Sequence, residues 1–442
     1  MVLWEEKKDL DRRLAVALLW ALLLAAALLA GAPALAQDEW VRDAEPVEVT
    51  GELLDEHLGA PLDELGVYVY VDQTWSPIPF QIDEVDSTGT YTTTEDGILD
   101  DNDVLLFMAR DVGEQAGREW IDNADPVHNA RTEIHVVDPV NPGAAGWAYL
   151  YRLSDPDLSP DDYVNWNGEV DRVEAISYTL GFSPALHAGI EYLAFDGHDV
   201  DVLDRTKIRA EVTCLVFGFP VGSETLTEEN LGGLLDPTPR IDGPVRVGGG
   251  DTDGVWWYYG GLYETSLTLD VDAIEPPDPC TSLEVSSIRL STDWQDPAAT
   301  GMSTTVYYDG NTAEGVTVDG LTDAVPEAPV SWWKQVSGDY GSLIVVAHAE
   351  MESGTPLNYY VDDATEDPED TGDGRRFGDA GFLVLDPTGA AVVETKAFVL
   401  GPNRPNVGET YAEYGATPLE VSATGQRPLL STYLPVILRD LP

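Results

Sequence analysis

Short runs of β-branched and aromatic residues recur along this chain. They are Val67-Tyr68-Val69-Tyr70-Val71, Ile134-His135-Val136-Val137, Val212-Thr213-Cys214-Leu215-Val216, Val255 to Tyr259, Thr304 to Tyr308 and Leu343 to Ala347. Most are bounded by Gly, Pro, Asp or Asn, the residues that end strands and form turns. The 41 glycines and 30 prolines are spread as turns rather than gathered in one low-complexity block. Helical periodicity is scarce. Thr227 to Leu235 reads as one short helix, capped by Thr227 and weakened by Gly232 and Gly233, and Leu53 to Leu65 holds a turn or two. The pattern predicts an all-β fold: an N-terminal β-module (small barrel or sandwich), then a larger antiparallel β-sandwich, with few short helices.

One run breaks this pattern. Arg12 and Arg13 lead into an apolar segment from Leu14 to Leu29. Gly31 and Pro33 interrupt it, and Ala34-Leu35-Ala36 supplies small residues where a signal peptidase cuts. Residues 1–36 therefore read as a secretory signal peptide, although acids and bases balance before Leu14. Left uncleaved, the run would serve as an anchor, since about 20 apolar residues span a bilayer. No later segment is long enough, so no membrane span is expected in the mature chain. The expected organisation is a signal peptide (1–36), an N-terminal β-module (37–155), a large β-sandwich domain (156–400) and a C-terminal extension (401–442). Ser154 to Asp162 has linker composition. Glu275 to Pro279 is a second Pro-rich break. Export to an oxidising, secreted or cell-surface location makes a Cys214–Cys280 disulfide the expected state of the two cysteines, the rival being two buried free thiols. That bond would place the second break inside a domain.

The chain carries 80 Asp and Glu against 23 Lys and Arg, a net charge of −57. The first 36 residues are neutral, so the whole imbalance belongs to residues 37–442. Lys207, Lys334 and Lys396 are the only lysines beyond the leader. Such a chain repels nucleic acid, which is excluded as a partner. The acids are expected to serve as a salt-adapted surface, and some as structural calcium ligands.

The sharpest local pattern begins Ile78-Pro79-Phe80-Gln81-Ile82-Asp83-Glu84. After a polar loop it ends Asp96-Gly97-Ile98-Leu99-Asp100-Asp101-Asn102-Asp103-Val104-Leu105-Leu106-Phe107-Met108. Asp96, Asp100, Asn102 and Asp103 put several oxygens in a Gly-containing turn, as calcium requires, although the order is not that of an EF-hand. The competing reading is an acidic turn whose carboxylates bond nearby backbone N–H groups. Asp370 and Asp373, in a second acidic loop, together with Asp379 just after it, are the second candidate cation site, with Arg375 and Arg376 offsetting the charge; a solvated loop is the competing reading. Residues 78–113 resemble the N-terminal β-module of secreted bacterial exo-rhamnogalacturonan-lyase-type proteins. The resemblance implies a β-rich module in a glycan-handling protein. It reaches no catalytic residue, and the acidity fits an anionic substrate poorly. The tail Tyr433 to Arg439 resembles short C-terminal tails of some secreted bacterial proteins; a last edge strand is the alternative.

For proton transfer, His187, Glu191, Asp196 and His198 form the densest titratable group containing histidine, and Tyr192 and Arg205 would complete a lyase-like set; a scatter of polar residues around a strand turn is the alternative. Nucleophile elbows, phosphate loops and zinc spacings are missing from the sequence. Trp256-Trp257 and Trp332-Trp333 put adjacent rings on opposite strand faces, so one ring of each pair is available to stack on a sugar. The first functional expectation is an extracellular, calcium-stabilised glycan-binding protein without catalysis. A polysaccharide lyase or other glycan-active enzyme, and a structural envelope protein, are the alternatives.

Overall fold

The computed structural model describes residues 40–427, apart from 93–95, 183–188, 230–239, 251–253, 272–275, 277, 310–313, 324, 329 and 368–369. Residues 1–36, expected as a signal peptide, and the Tyr433–Arg439 tail lie outside the described residues. Within them the chain is all-β, in four antiparallel sheets.

The first sheet has the order β1 (Pro46–Thr50), β6 (Val104–Met108), β4 (Phe80–Val85), β5 (Tyr91–Thr92). The second is built from β2 (Leu65–Val71), β3 (Thr74–Pro77), β7 (Arg131–Val137), β8 (Ala145–Arg152) and β25 (Glu420–Gln426), in the order β25-β7-β8-β2-β3. The third is a meander of β9 (Val164–Asn167), β10 (Arg172–Ala175), β11 (Tyr178–Phe182) and β12 (Ile190–Phe195).

The fourth and largest sheet takes the remaining twelve strands. These are β13 (Leu203–Val216), β14 (Phe219–Thr227), β15 (Ile241–Asp242), β16 (Arg246–Gly250), β17 (Gly254–Tyr259), β18 (Leu262–Asp270) and β19 (Ser282–Trp294), then β20 (Thr304–Tyr308), β21 (Val316–Thr317), β22 (Trp333–Gly338), β23 (Ser342–Asp363) and β24 (Arg376–Leu400). Two short α-helices, α1 (Pro297–Thr300) and α2 (Gly408–Ala416), and three 3-10 turns at Gly51–Leu53, Leu62–Glu64 and Ala109–Asp111 complete the described elements.

The sheets stack in layers, and β6 shows why. All five of its residues, Val104-Leu105-Leu106-Phe107-Met108, are buried. Leu105 and Phe107 join Val47, Val67, Ile134 and Leu150 in the core between the first two sheets. Val104, Leu106 and Met108 turn the other way, onto Trp257, Tyr259, Leu262, Ile344 and Phe398 of the large sheet. A strand covered on both faces loses the polar half of its alternation, so the uninterrupted apolar run is the mark of a middle layer. The opposite face of the large sheet meets the third sheet through Tyr178, Leu180, Leu193 and Phe195 against Trp256, Tyr258, Tyr263 and Leu343.

Polar side chains fasten the first sheet to the large one. Gln81 Oε1 accepts from the backbone N–H of Val245 at 2.9 Å and of Arg246 at 2.8 Å. Its Nε2 donates to Asp83 Oδ1 at 2.7 Å, and Arg246 Nε donates to Asp83 Oδ2 at 2.6 Å. The Arg246 guanidinium lies 3.8 Å from the Trp257 ring centre. The Gln81-Ile82-Asp83 pattern is therefore an inter-layer clasp.

The expected Cys214–Cys280 disulfide is present, with Cα atoms 5.4 Å apart. It ties β13 to the segment that enters its neighbour β19. Residues 401–442, expected as an extension, are integral in part. Helix α2 packs on β22 and β23, with Gly408 against the Trp333 ring, and β25 pairs with β7 over Glu420–Gln426. Leu419, Val421 and Ala423 thereby join the core between the first two sheets. The expected helix from Thr227 does not start there: Thr227 ends β14, and 230–235 lie outside the described residues.

Candidate ligand-binding site

The two longest strands, β23 and β24, pair along nearly their whole length. The C-terminal half of β24 lies between β23 and β18, and its N-terminal half between β23 and β19. In the C-terminal half, one row across the sheet reads Trp256, Thr265, Thr395, Ala347, and the next reads Tyr258, Tyr263, Ala397, Val345, Lys334. In the other half, Ile208, Leu290, Phe382 and Asn358 form a row, beside Thr206, Thr292 and Ala380.

Odd-numbered β24 residues (393, 395) and even-numbered ones (380, 382, 384) face one cavity of about 190 Å³. A strand of strict period two cannot do this. The reversal comes from register shifts between Met351 and Ser353 and between Ser353 and Thr355. Close by, Gly354 (φ 141°), Asp386 (φ 49°) and Gly389 (φ 72°) hold positive φ. Bulges of this kind bend a strand and switch its faces. Ile190 of β12 adds a wall from the third sheet.

The cavity walls are mainly aliphatic and aromatic. Few polar groups reach it. The Thr265 and Thr395 hydroxyls bond each other. The buried indole N–H of Trp294 has no hydrogen-bond partner. Lys334 is 5% exposed, and its Nζ donates to Ser331 O at 2.8 Å and Asn358 Oδ1 at 3.1 Å. The ammonium also sits 4.6 Å from the Phe382 ring centre. No described carboxylate lies within ion-pair distance of it. Burial disfavours the charged form and pulls this amine down to about 7, with Asp309 opposing. Near neutral pH the site can therefore present a cation, a hydrogen-bond donor or a free amine.

The reverse face of the same strands borders an open cleft of about 780 Å³ against α2. One row there reads Trp257, Glu264, Lys396, Val346, Trp333, and the next reads Val255, Ser266, Glu394, His348. Lys396 Nζ lies 2.8 Å from Glu264 Oε1 and 3.6 Å from Glu45 Oε2. Despite the opposing effect of burial, these carboxylates raise its pKa.

The residues singled out in the sequence are dispersed. Trp256 is buried in the cavity wall, while Trp257 and Trp333 are buried on the opposite face. Trp332 is half-buried and stacks on Phe382, with ring centres 5.7 Å apart. The four do not form one exposed platform, because alternation puts Trp256 on one face and Trp257 and Trp333 on the other, all three buried. Of the acid–base set, His187 lies outside the described residues. Glu191 pairs with Arg205 at 3.1 Å, and Arg205 also reaches Glu228 and Glu229. Tyr192 lies under Arg172 and His198 stacks on Tyr340, so neither joins that pair.

At the first expected calcium turn, Asp96 Oδ1 accepts from the Ile98 N–H. Asp103 accepts from the N–H groups of Val85 and Asp100, and Asn102 donates to Val85 O. At the second, Asp370 is held by Lys207 at 3.1 Å and Arg209 at 3.0 Å, and Asp373 Oδ1 accepts from the Arg375 N–H. No cluster of three or more His, Cys, Asp or Glu suited to a metal occurs among the described residues. Sequence reasoning missed Lys334. The signal available was its rarity in so acidic a chain, next to two tryptophans.

No family model and no curated protein matches the chain. Among solved structures it is similar to the crystal structure of an alpha-mannosidase from Enterococcus faecalis V583, at 12% identity and a TM-score of 0.36. The match covers 88% of this chain and 46% of that one, so this chain spans less than half the length of that protein.

Proposed function

We propose that the protein is an extracellular binding protein that holds an apolar small molecule in the concave face of its large sheet, without catalysis. The observation that carries this reading is the cavity itself. It is bordered by strands from two sheets, mostly apolar, and set with a few polar groups that would orient a guest. Apolar cavities of this order hold benzene-sized or larger molecules. The leader-like first 36 residues, the disulfide and the net charge of −57 support an exterior setting. The test is titration of the purified protein with a neutral apolar probe, decanol, read by tryptophan fluorescence and calorimetry. Ala347→Leu and Ala380→Leu, which fill the cavity, should weaken binding tenfold or more while the thermal transition stays cooperative. Binding that both variants leave unchanged would remove the reading.

A second reading, glycan binding, rests on the open cleft, where Glu264, Glu394, His348 and Lys396 offer both donors and acceptors near the half-buried Trp332. A glycan-array signal abolished by Glu394→Gln, with decanol binding untouched, would favour it.

A further inference from the structure

We infer that the guest of the cavity is an apolar carboxylic acid whose carboxylate pairs with Lys334; this rests on the cavity reading above. The three lysines beyond the leader differ sharply in their partners. Lys207 bonds Asp293 and Asp370, and Lys396 pairs with Glu264 and Glu45. Lys334 alone bonds only uncharged acceptors, a backbone carbonyl and an amide oxygen. In a chain with 80 acidic residues, a buried lysine with no described carboxylate at ion-pair distance, only the longer-range pull of Asp309, is set apart by its position in the fold.

An ammonium has three N–H donors and no acceptor. Two are directed at Ser331 and Asn358, so the third is available to a guest. Lys334 also lies on the cavity wall beside the Phe382 ring, with Trp332, Val336 and Val345 around it. A buried charge without a counter-charge is costly, and a guest carboxylate removes that cost. The same chain would repel an anion at its surface. The affinity therefore has to come from this buried cation together with the apolar walls. The unpartnered Trp294 N–H is a second donor on the same cavity. An alcohol of equal length would gain the walls but not the charge pair.

The experiment compares decanoic acid with decanol on the intact protein and on Lys334→Met and Lys334→Arg, by calorimetry and tryptophan fluorescence. The expected result is that the acid binds at least tenfold more tightly than the alcohol. Lys334→Met should abolish that preference, read as the ratio of acid to alcohol affinity within the same variant, and Lys334→Arg should keep part of it. A cooperative thermal transition checks that each variant is folded. Equal binding of acid and alcohol to the unaltered protein, or an acid preference that survives Lys334→Met, would overturn the inference while sparing the cavity reading. Binding of neither compound would overturn both.

Discussion

Replacing Arg246 with Met tests whether the clasp between the first sheet and the large sheet is energetically coupled. Arg246 is 1% exposed and Asp83 is 3% exposed, and the two are joined at 2.6 Å. The Glu48 arm of the same guanidinium is half-exposed, so it contributes little. Removing Arg246 leaves the Asp83 carboxylate with the Gln81 amide but no cation. Breaking a buried pair on one side costs about 3–5 kcal/mol, against about 5–15 kcal/mol for a typical domain's whole stability. Arg246→Met/Asp83→Asn removes the stranded charge, so it should be less destabilised than the sum of the single variants by about 2 kcal/mol or more. The measurement is urea unfolding followed by tryptophan fluorescence.

The pH dependence gives a second reading of the same cycle. Burial already raises the Asp83 pKa, against the lowering effect of Arg246. Without Arg246 it rises further. A carboxyl whose folded pKa exceeds its unfolded value stabilises fully at low pH and loses that contribution as pH rises toward the folded pKa. The deficit of Arg246→Met should therefore shrink between pH 7 and pH 5. A single-variant cost below about 1 kcal/mol, strict additivity, or a deficit that grows on acidification would refute the argument.

Two further predictions concern the N-terminal layers. His57 is 2% exposed, and burial lowers its pKa to about 4. The unfolded chain then binds the extra proton first, so stability falls as pH drops from about 6.5 to 4, by up to about 3 kcal/mol at 1.36 kcal/mol per unit. Asp111 and Asp204, raised to about 6 by burial, act in the opposite sense. The comparison is therefore between the unaltered protein and His57→Leu, whose stability in urea should vary less over that interval; parallel curves would refute the assignment. Truncation after Pro418 deletes β25 and uncovers the edge of β7. Losing the partly buried Leu419, Val421 and Ala423 should cost about 2–4 kcal/mol and raise dye binding to exposed apolar surface. An unchanged melting temperature would show that β25 is dispensable.

The expectations that came through rest on local physics. The β-branched and aromatic runs at 67–71, 134–137, 255–259 and 343–347 fall inside strands β2, β7, β17 and β23, because backbone preference and turn residues act over a few positions. The disulfide was legible because only two cysteines were available. Face alternation was also legible at Trp256-Trp257, where one ring does line the cavity and the other points away from it. Less legible was where the buried charges find their partners. The Gln81–Asp83 motif adjoins an acidic turn in the sequence, and its side chains reach Arg246, more than 160 residues away. No local pattern signals a partner at that separation.

The cavity was hidden for a more specific reason. Phe382 and Phe398 lie on one strand, sixteen residues apart, so period two assigns them to the same face. The structure separates them: Phe398 packs toward the first sheet, while Phe382 lines the cavity beside Lys334. The reversal lies between them, near Asp386 and Gly389, opposite the shifts at Met351–Ser353 and Ser353–Thr355. Glycine and aspartate look like ordinary turn residues in a sequence, and they mark a face switch only once the partner strand is known. Without that switch, Phe382 would face away from Tyr258 and Val345, and the apolar wall around Lys334 would lose one side. The candidate site thus depends on an irregularity in β23 and β24, where a reading based on regular alternation has least to say.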